Sequence, residues 1–137
     1  MMIYPQTSSL PDWQSLQVLF TSATSYEERY RQLLLLGKKF PAMPEDYRQE
    51  QNEVSGCESR SWVYTEKNQL WCDSEARIIR GLMTILLSLV NHSDYQSIKS
   101  IDLIAKLEQL GLRHYISESR INGIQAIWQQ LSALQTI

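Results

Sequence analysis

Between two blocks of helical spacing the chain changes period. The runs "SWVYT" and "QLWCD" are short and rich in β-branched and aromatic residues, and Glu66-Lys67-Asn68 separates them. Such side chains suit a pleated surface, and a polar break of turn length lets two runs fold back on each other. The pattern predicts an antiparallel hairpin of Arg60–Thr65 with Gln69–Asp73, and a third strand near Asn52–Val54. So small a sheet is stable only when helices pack on it. The expected fold class is therefore α+β, a small antiparallel β-sheet packed against helices.

The flanking blocks supply those helices. Asp12 to Phe20 carries Trp13, Leu16, Val18, Leu19 and Phe20, a first helix with Pro11 at its start. In "TSYEERYRQLLLLG", Ser25 and Glu28 form a capping box, Tyr26, Tyr30, Leu33 and Leu34 follow helical spacing, and Gly37 is placed to end the helix in the left-handed conformation. Pro41 and Pro44 make "KKFPAMPEDY" an extended connector. After the hairpin, Ser74 is the expected N-cap of a long apolar helix, and Glu75 suits its positive start. "SIKSIDLIAKLEQLG" predicts one helix, with Ile98, Ile101, Ile104, Leu107 and Leu110 on one face and Gly111 at its end. A last helix runs from about Glu118 to Leu134 through Ile121, Ile124, Trp128 and Leu131.

With 137 residues, 43% of them apolar, the chain is sized for one domain over 1–137. A net charge of -2 gives no global attraction to nucleic acid or to an anionic membrane. Met1 to Pro5 lacks a basic and then apolar leader, so no signal peptide is expected. The longest apolar run, Ile78 to Val90, contains Arg80 and falls short of the roughly 20 residues a bilayer span needs. These features predict a cytoplasmic protein whose thiols stay reduced.

The chain has two cysteines. The hairpin places Cys72 opposite Trp62 or Val63, which leaves Cys57 roughly 17–20 Å away at strand rise. A disulfide needs Cα atoms within about 7 Å, so the two are not expected to pair. No Cys-x-x-Cys occurs, and His92 and His114 stand alone, so no metal site is expected. Cys72 reads as a half-buried small apolar residue of the hairpin. Cys57 differs: it follows Gly56 and precedes Glu58, Ser59 and Arg60, where no apolar pattern calls for a thiol. A loop cysteine becomes a nucleophile when cations support its thiolate, and Arg60, Arg77, Arg80 and Arg120 are the candidates. A Cys–His protease is disfavoured because nothing in the sequence brings His114 to Cys57.

The segment "NEVSGCESRSW" resembles the Gly-Cys-x-Ser/Asn-x-x-Trp motif of SufE-type sulfur acceptors. "CDSEARIIRGLMTILL" is similar to their Asp-Ser-Asp/Glu-x-x-Ile-x-Lys/Arg-Gly-Leu helix start, and "LGLRHYISESRINGI" to their Ser-Arg-x-x-Gly helix. "YRQLLLLGKKFPAMPED" resembles the CsdE-like branch in particular, and the likeness runs in order from about Ser25 to the C-terminus. The resemblance implies an α+β fold shared with the IscU scaffold. It implies a sulfur acceptor that stimulates a PLP-dependent cysteine desulfurase of the CsdA/SufS type and carries its sulfur as a persulfide on Cys57. Arg120 matches the family arginine near the cysteine loop. Asp73, Ser74 and Glu75 match a region near the desulfurase contact, to which Gly56, Glu58, Ser59 and Arg60 add the loop itself. In this family the resting thiol is often tucked into an apolar pocket. The chain has Cys72 where the family usually has glycine before Asp-Ser, which leaves open a second thiol near the site.

The implied protein is a sulfur-transfer accessory with no cofactor of its own rather than a stand-alone enzyme. It would pass sulfur to an iron–sulfur scaffold or to an E1-like tRNA-modifying dehydratase, without touching nucleic acid. Two alternatives belong to other classes. A non-covalent adaptor would activate the desulfurase without carrying sulfur. An iron–sulfur scaffold would want about four ligands, mostly cysteines, and this chain has two.

Overall fold

A computed structural model describes residues 2–92 and 95–134; the side chains of His92, Tyr95, Gln96 and Tyr115, together with Met1, 93–94 and 135–137, lie outside the described residues. The change of period is an antiparallel hairpin of β1 (Ser61–Glu66) and β2 (Gln69–Ser74). Its register sets Val63 against Cys72 and Glu66 against Gln69. The turn is thus Lys67-Asn68 alone, one residue shorter than expected. Both residues have positive φ, 51° and 63°. That left-handed pair twists the way the strands do, which a longer polar break does not require.

The expected third strand shrinks to one antiparallel bridge between Glu53 and Trp62, because Glu50–Asn52 winds into a 3₁₀ turn. The other edge is closed by the N-terminal segment. Ile3 makes a parallel bridge to Gln69, and the buried Gln6 amide stands in for a strand. Gln6 Nε2 donates to the Cys72 carbonyl at 2.8 Å, and Gln6 Oε1 accepts from the Cys72 N–H at 3.0 Å.

Among the described residues six α-helices accompany the hairpin: α1 (Trp13–Thr21), α2 (Tyr26–Lys39), α3 (Arg77–His92), α4 (Tyr95–Ser100), α5 (Leu103–Gln109) and α6 (Glu118–Leu134). Asp12 caps α1 by accepting from Ser15 N–H, which moves Pro11 outside the first turn. Ser25 caps α2, but Glu28 turns its carboxylate to Arg31 and Gln32 instead of closing the box. Ser74 ends β2 rather than capping α3 directly; its hydroxyl accepts from the N–H of Ala76, the residue just before the helix. The single helix expected over 97–111 is two, because the Asp102 carboxylate accepts from Ala105 N–H and starts α5 afresh. Gly111 closes α5 with φ +72°, as its position implied.

Gly37 is not a C-cap. It lies inside α2, where a Cβ would sit 2.0 Å from the Arg77 carbonyl oxygen. Across the same contact, a Cβ on Gly81 of α3 would sit 2.2 Å from the Leu33 carbonyl oxygen. The two helices therefore meet backbone to backbone, each through the other's glycine. Against them packs one core cluster that includes Leu82, Leu86, Ile124, Leu131, Leu70 and Cys72. Among the described residues no helix is long and apolar enough to cross a membrane.

Gly81→Ala sets two effects against each other. Alanine gains about 1 kcal/mol of helix propensity. The clash is with backbone, which no rotamer relieves, and overpacking of this kind costs roughly 1–3 kcal/mol or more. The expected result is a lower urea midpoint; a midpoint equal to or above wild type would refute the glycine contact.

Candidate functional site

The segment Ser55–Ser59 is a loop with a fixed stem. Val54 N–H donates to the Ser61 carbonyl at 2.8 Å. Arg60 forks onto Glu53 with contacts of 3.0 and 3.2 Å, and its guanidinium lies over the Trp62 ring. Gly56 has φ +91°, a conformation that side chains rarely adopt. It turns the chain so that Cys57 lies back against α6.

Cys57 is half-buried there, and its Sγ donates to the Gly123 carbonyl at 3.5 Å. Gly123 provides the seat, since a Cβ at that position would lie 3.4 Å from Sγ. A cavity of about 80 Å³ adjoins the sulfur, lined by Cys57, Glu58, Ser59, Ala76, Ile78, Ile79, Ser119, Arg120 and Gly123. Its lining combines the apolar Ala76, Ile78 and Ile79 with the polar Glu58, Ser59, Ser119 and Arg120. The Glu58 carboxylate accepts from the Ser119 hydroxyl at 3.1 Å, closing the polar side.

Burial pushes the Cys57 thiol above its ordinary value, and the Ser61 hydroxyl offsets this only in part. Of the four arginines proposed as thiolate supports, the structure brings Arg120 to the cavity. Among the described residues its guanidinium makes no hydrogen bond or ion pair. Arg60 is engaged by Glu53 at the stem. Arg80 donates to the carbonyls of Gly37, Ser74 and Glu75, joining α2 to the hairpin's end. Arg77 borders the α2 contact at Gly37.

Asp73 and Ser74 lie inside the molecule, each 0% exposed, while Glu75 is at the surface. Asp73 Oδ2 accepts from Met43 N–H and from Arg48, both at 2.9 Å, and Oδ1 accepts from Ser74 N–H at 2.8 Å. The Ser61 hydroxyl donates to Ser74 Oγ at 3.0 Å, and Ser74 Oγ donates to the Arg60 carbonyl at 3.1 Å. These side chains hold the stem from behind and present nothing of their own to a partner.

Cys72 is fully rather than half buried; the N-terminal segment covers the edge that a bare hairpin would leave open. Burial and the neighbouring Asp73 drive its thiol far above the ordinary range. It lies in the core and lines no part of the Cys57 cavity. His114 is exposed on a 3₁₀ turn. Among the described residues no three His, Cys, Asp or Glu side chains converge as a metal site would need.

Arg48, Ser119 and Gly123 were not singled out as site residues from the sequence. Gly123 had a visible signal, since a glycine inside a helical pattern costs about 1 kcal/mol and usually marks a close approach. Ser119 stands in the Ser-Arg-x-x-Gly motif, which names the residue but not what it touches, and Arg48 had no signal, for it meets its partner across the fold.

The chain matches the family model described as "SufE: Fe-S metabolism associated domain" over residues 14–135. It is 36% identical over 125 residues to the sulfur acceptor protein CsdE of Escherichia coli (strain K12), covering 88% of this chain and 85% of that protein.

Two outcomes follow from this geometry. The folded environment holds the Cys57 proton more tightly than water does, so the stabilisation it confers is complete below the unfolded thiol's pKa. It fades as pH rises through the folded value. Alkylation of the free protein by iodoacetamide should therefore titrate above the usual thiol value of about 8.5, with Cys72 unmodified until the chain unfolds. A midpoint at or below that value would contradict the closed geometry. Asp73→Ala strips partners from Arg48 and two backbone N–H groups, and Arg48 is itself 32% exposed. A loss of about 3 kcal/mol in urea unfolding is expected, the lower end for a broken buried pair; a loss under about 1 kcal/mol would match a surface pair instead.

Proposed function

The chain belongs to the SufE family, and from that premise we propose that it is a sulfur acceptor in which Cys57 takes sulfane sulfur from a cysteine desulfurase. The observation that carries the proposal is a half-buried thiol on a short, stem-anchored loop, seated on a glycine of α6 and bordered by a cavity with a cation in its wall. A core cysteine needs no such loop, and a metal ligand would need companions.

The chemistry is thiolate exchange. Opening of the loop exposes Cys57 to water, and the thiol loses its proton to solvent. The thiolate attacks the outer sulfur of the donor's persulfide: the new S–S bond forms on Cys57, the donor's S–S bond breaks, and the donor cysteine leaves as a thiolate. Both sides of the reaction hold one persulfide and one thiolate, so little driving force is needed. Alignment then governs the rate. Arg120 is assigned the support of the anionic sulfur, because it is the cation at the cavity.

Gly56, Glu58, Ser59, Arg60 and Glu75 are assigned to the face that meets the desulfurase, and Asp73 and Ser74 serve it from inside by bracing the stem. The sulfur then passes to an iron–sulfur assembly protein or to a tRNA-modifying E1-like dehydratase. The chain is on this reading a carrier rather than a free-standing enzyme, working in a reducing compartment such as the cytoplasm.

Incubation with a desulfurase and L-cysteine should add the mass of one sulfur atom to the wild type and nothing to Cys57→Ser. Sulfur retained by that variant would remove Cys57 from the role. A Cys57→Ala protein that still stimulated the desulfurase in full would mark an adaptor that carries no sulfur.

A further inference from the structure

The Cys57 loop touches α6 through two polar contacts of unequal strength. One is the thiol on the Gly123 carbonyl at 3.5 Å, a weak sulfur donor at long range. The other is the Ser119 hydroxyl on the Glu58 carboxylate at 3.1 Å, in which the acceptor carries a charge. Hydrogen bonds to ionised groups are about twice as strong as neutral ones. Ser119 also lies in the first turn of α6, where unpaired N–H groups favour a nearby carboxylate. Ser117 Oγ stands 3.4 Å from Ser119 Oγ, so the Ser119 hydroxyl can accept from one neighbour while donating to Glu58.

The stem does not compete with this contact. It is fixed at Val54–Ser61 and Glu53–Arg60, so opening is confined to residues 55–59. Glu58 adjoins Cys57 directly, and a bond on Glu58 acts on the sulfur through one peptide unit. We infer that Ser119 is a positioning residue for the sulfur transfer proposed above: with Glu58 it forms a latch that holds the Cys57 loop shut and sets how often the thiol is exposed. The inference rests on the sulfur-acceptor reading for its purpose. The latch itself belongs to the free protein.

The test is the alkylation rate of Cys57 by iodoacetamide in the free full-length chain, with modified residues located by peptide mass. Losing one hydrogen bond of ordinary net strength changes an opening equilibrium by about two- to tenfold. Ser119→Ala and Glu58→Ala should each speed alkylation by that factor. The double variant should be no faster than the faster single, since both remove the same bond. Ser119→Thr, which keeps a hydroxyl, should return the wild-type rate. Cys72 is the internal control, because general loosening of the fold would expose it as well. The latch is overturned if the single variants alkylate at the wild-type rate, if their effects multiply, or if Cys72 reacts in parallel. No desulfurase enters the measurement, so its failure removes the latch and leaves persulfide loading to be judged by the Cys57→Ser experiment.

Discussion

A carboxylate with no exposure to water organises the region around the loop. Asp73 lies one residue before the end of β2, and it accepts hydrogen bonds from the connector at Met43, from the Arg48 guanidinium and from its own neighbour Ser74. An ionised group cannot remain inside a protein unless its lone pairs are filled, so these partners are obligatory once the residue is buried. The connector between α2 and the hairpin must therefore pass close to the end of β2. That path brings the Arg48 guanidinium over Trp62, and the bridge from Glu53 to Trp62 completes the platform from which the Cys57 loop leaves. The loop's freedom is short because its base is held on both sides.

The site meets two opposed demands. A thiol that must exchange sulfur has to be accessible and able to ionise, while a thiol waiting in solution is safer when neutral and covered. The structure holds the second condition: desolvation raises the Cys57 pKa, and no cation touches the sulfur. Meeting the first requires only that residues 55–59 lift away from α6. Gly123 contributes no side chain to oppose this, and the polar contacts to be broken are those of Cys57 with Gly123 and of Glu58 with Ser119. The reactive state lies one local movement away from the resting one, at little cost to the rest of the fold.

Much of the fold was legible because it depends on neighbours in sequence. Helix starts at Asp12, Ser25 and Glu118, the buried stripe of Ile121, Ile124, Trp128 and Leu131, and the hairpin all obey local rules. The readings that changed share a cause. Gly37 looked like a helix end because a glycine near a helix terminus usually is one; its reason lies at Arg77 in α3, forty residues away. Ser74 looked like a cap but is shared among Ser61, Arg60 and Ala76. Cys72 looked half-buried because a hairpin alone leaves its surroundings open; its side chain packs in the core, and the Gln6 side chain that closes the strand edge beside it gives no pattern in the sequence.

The sequence by itself determined the order of the main helices around the hairpin, the hairpin register to within one residue, and which thiol stands apart from the core pattern, the ground on which Cys57 is proposed as the reactive sulfur. Each is written in spacing or in residues adjacent along the chain. Tertiary structure alone decided that this sulfur rests against Gly123, that Arg60 and Arg80 are engaged elsewhere, and that Asp73 and Ser74 face inward. The physical reason is one of range. Backbone periodicity and capping act over a few residues, whereas burial, desolvation and ion pairing depend on which distant segment fills the remaining space.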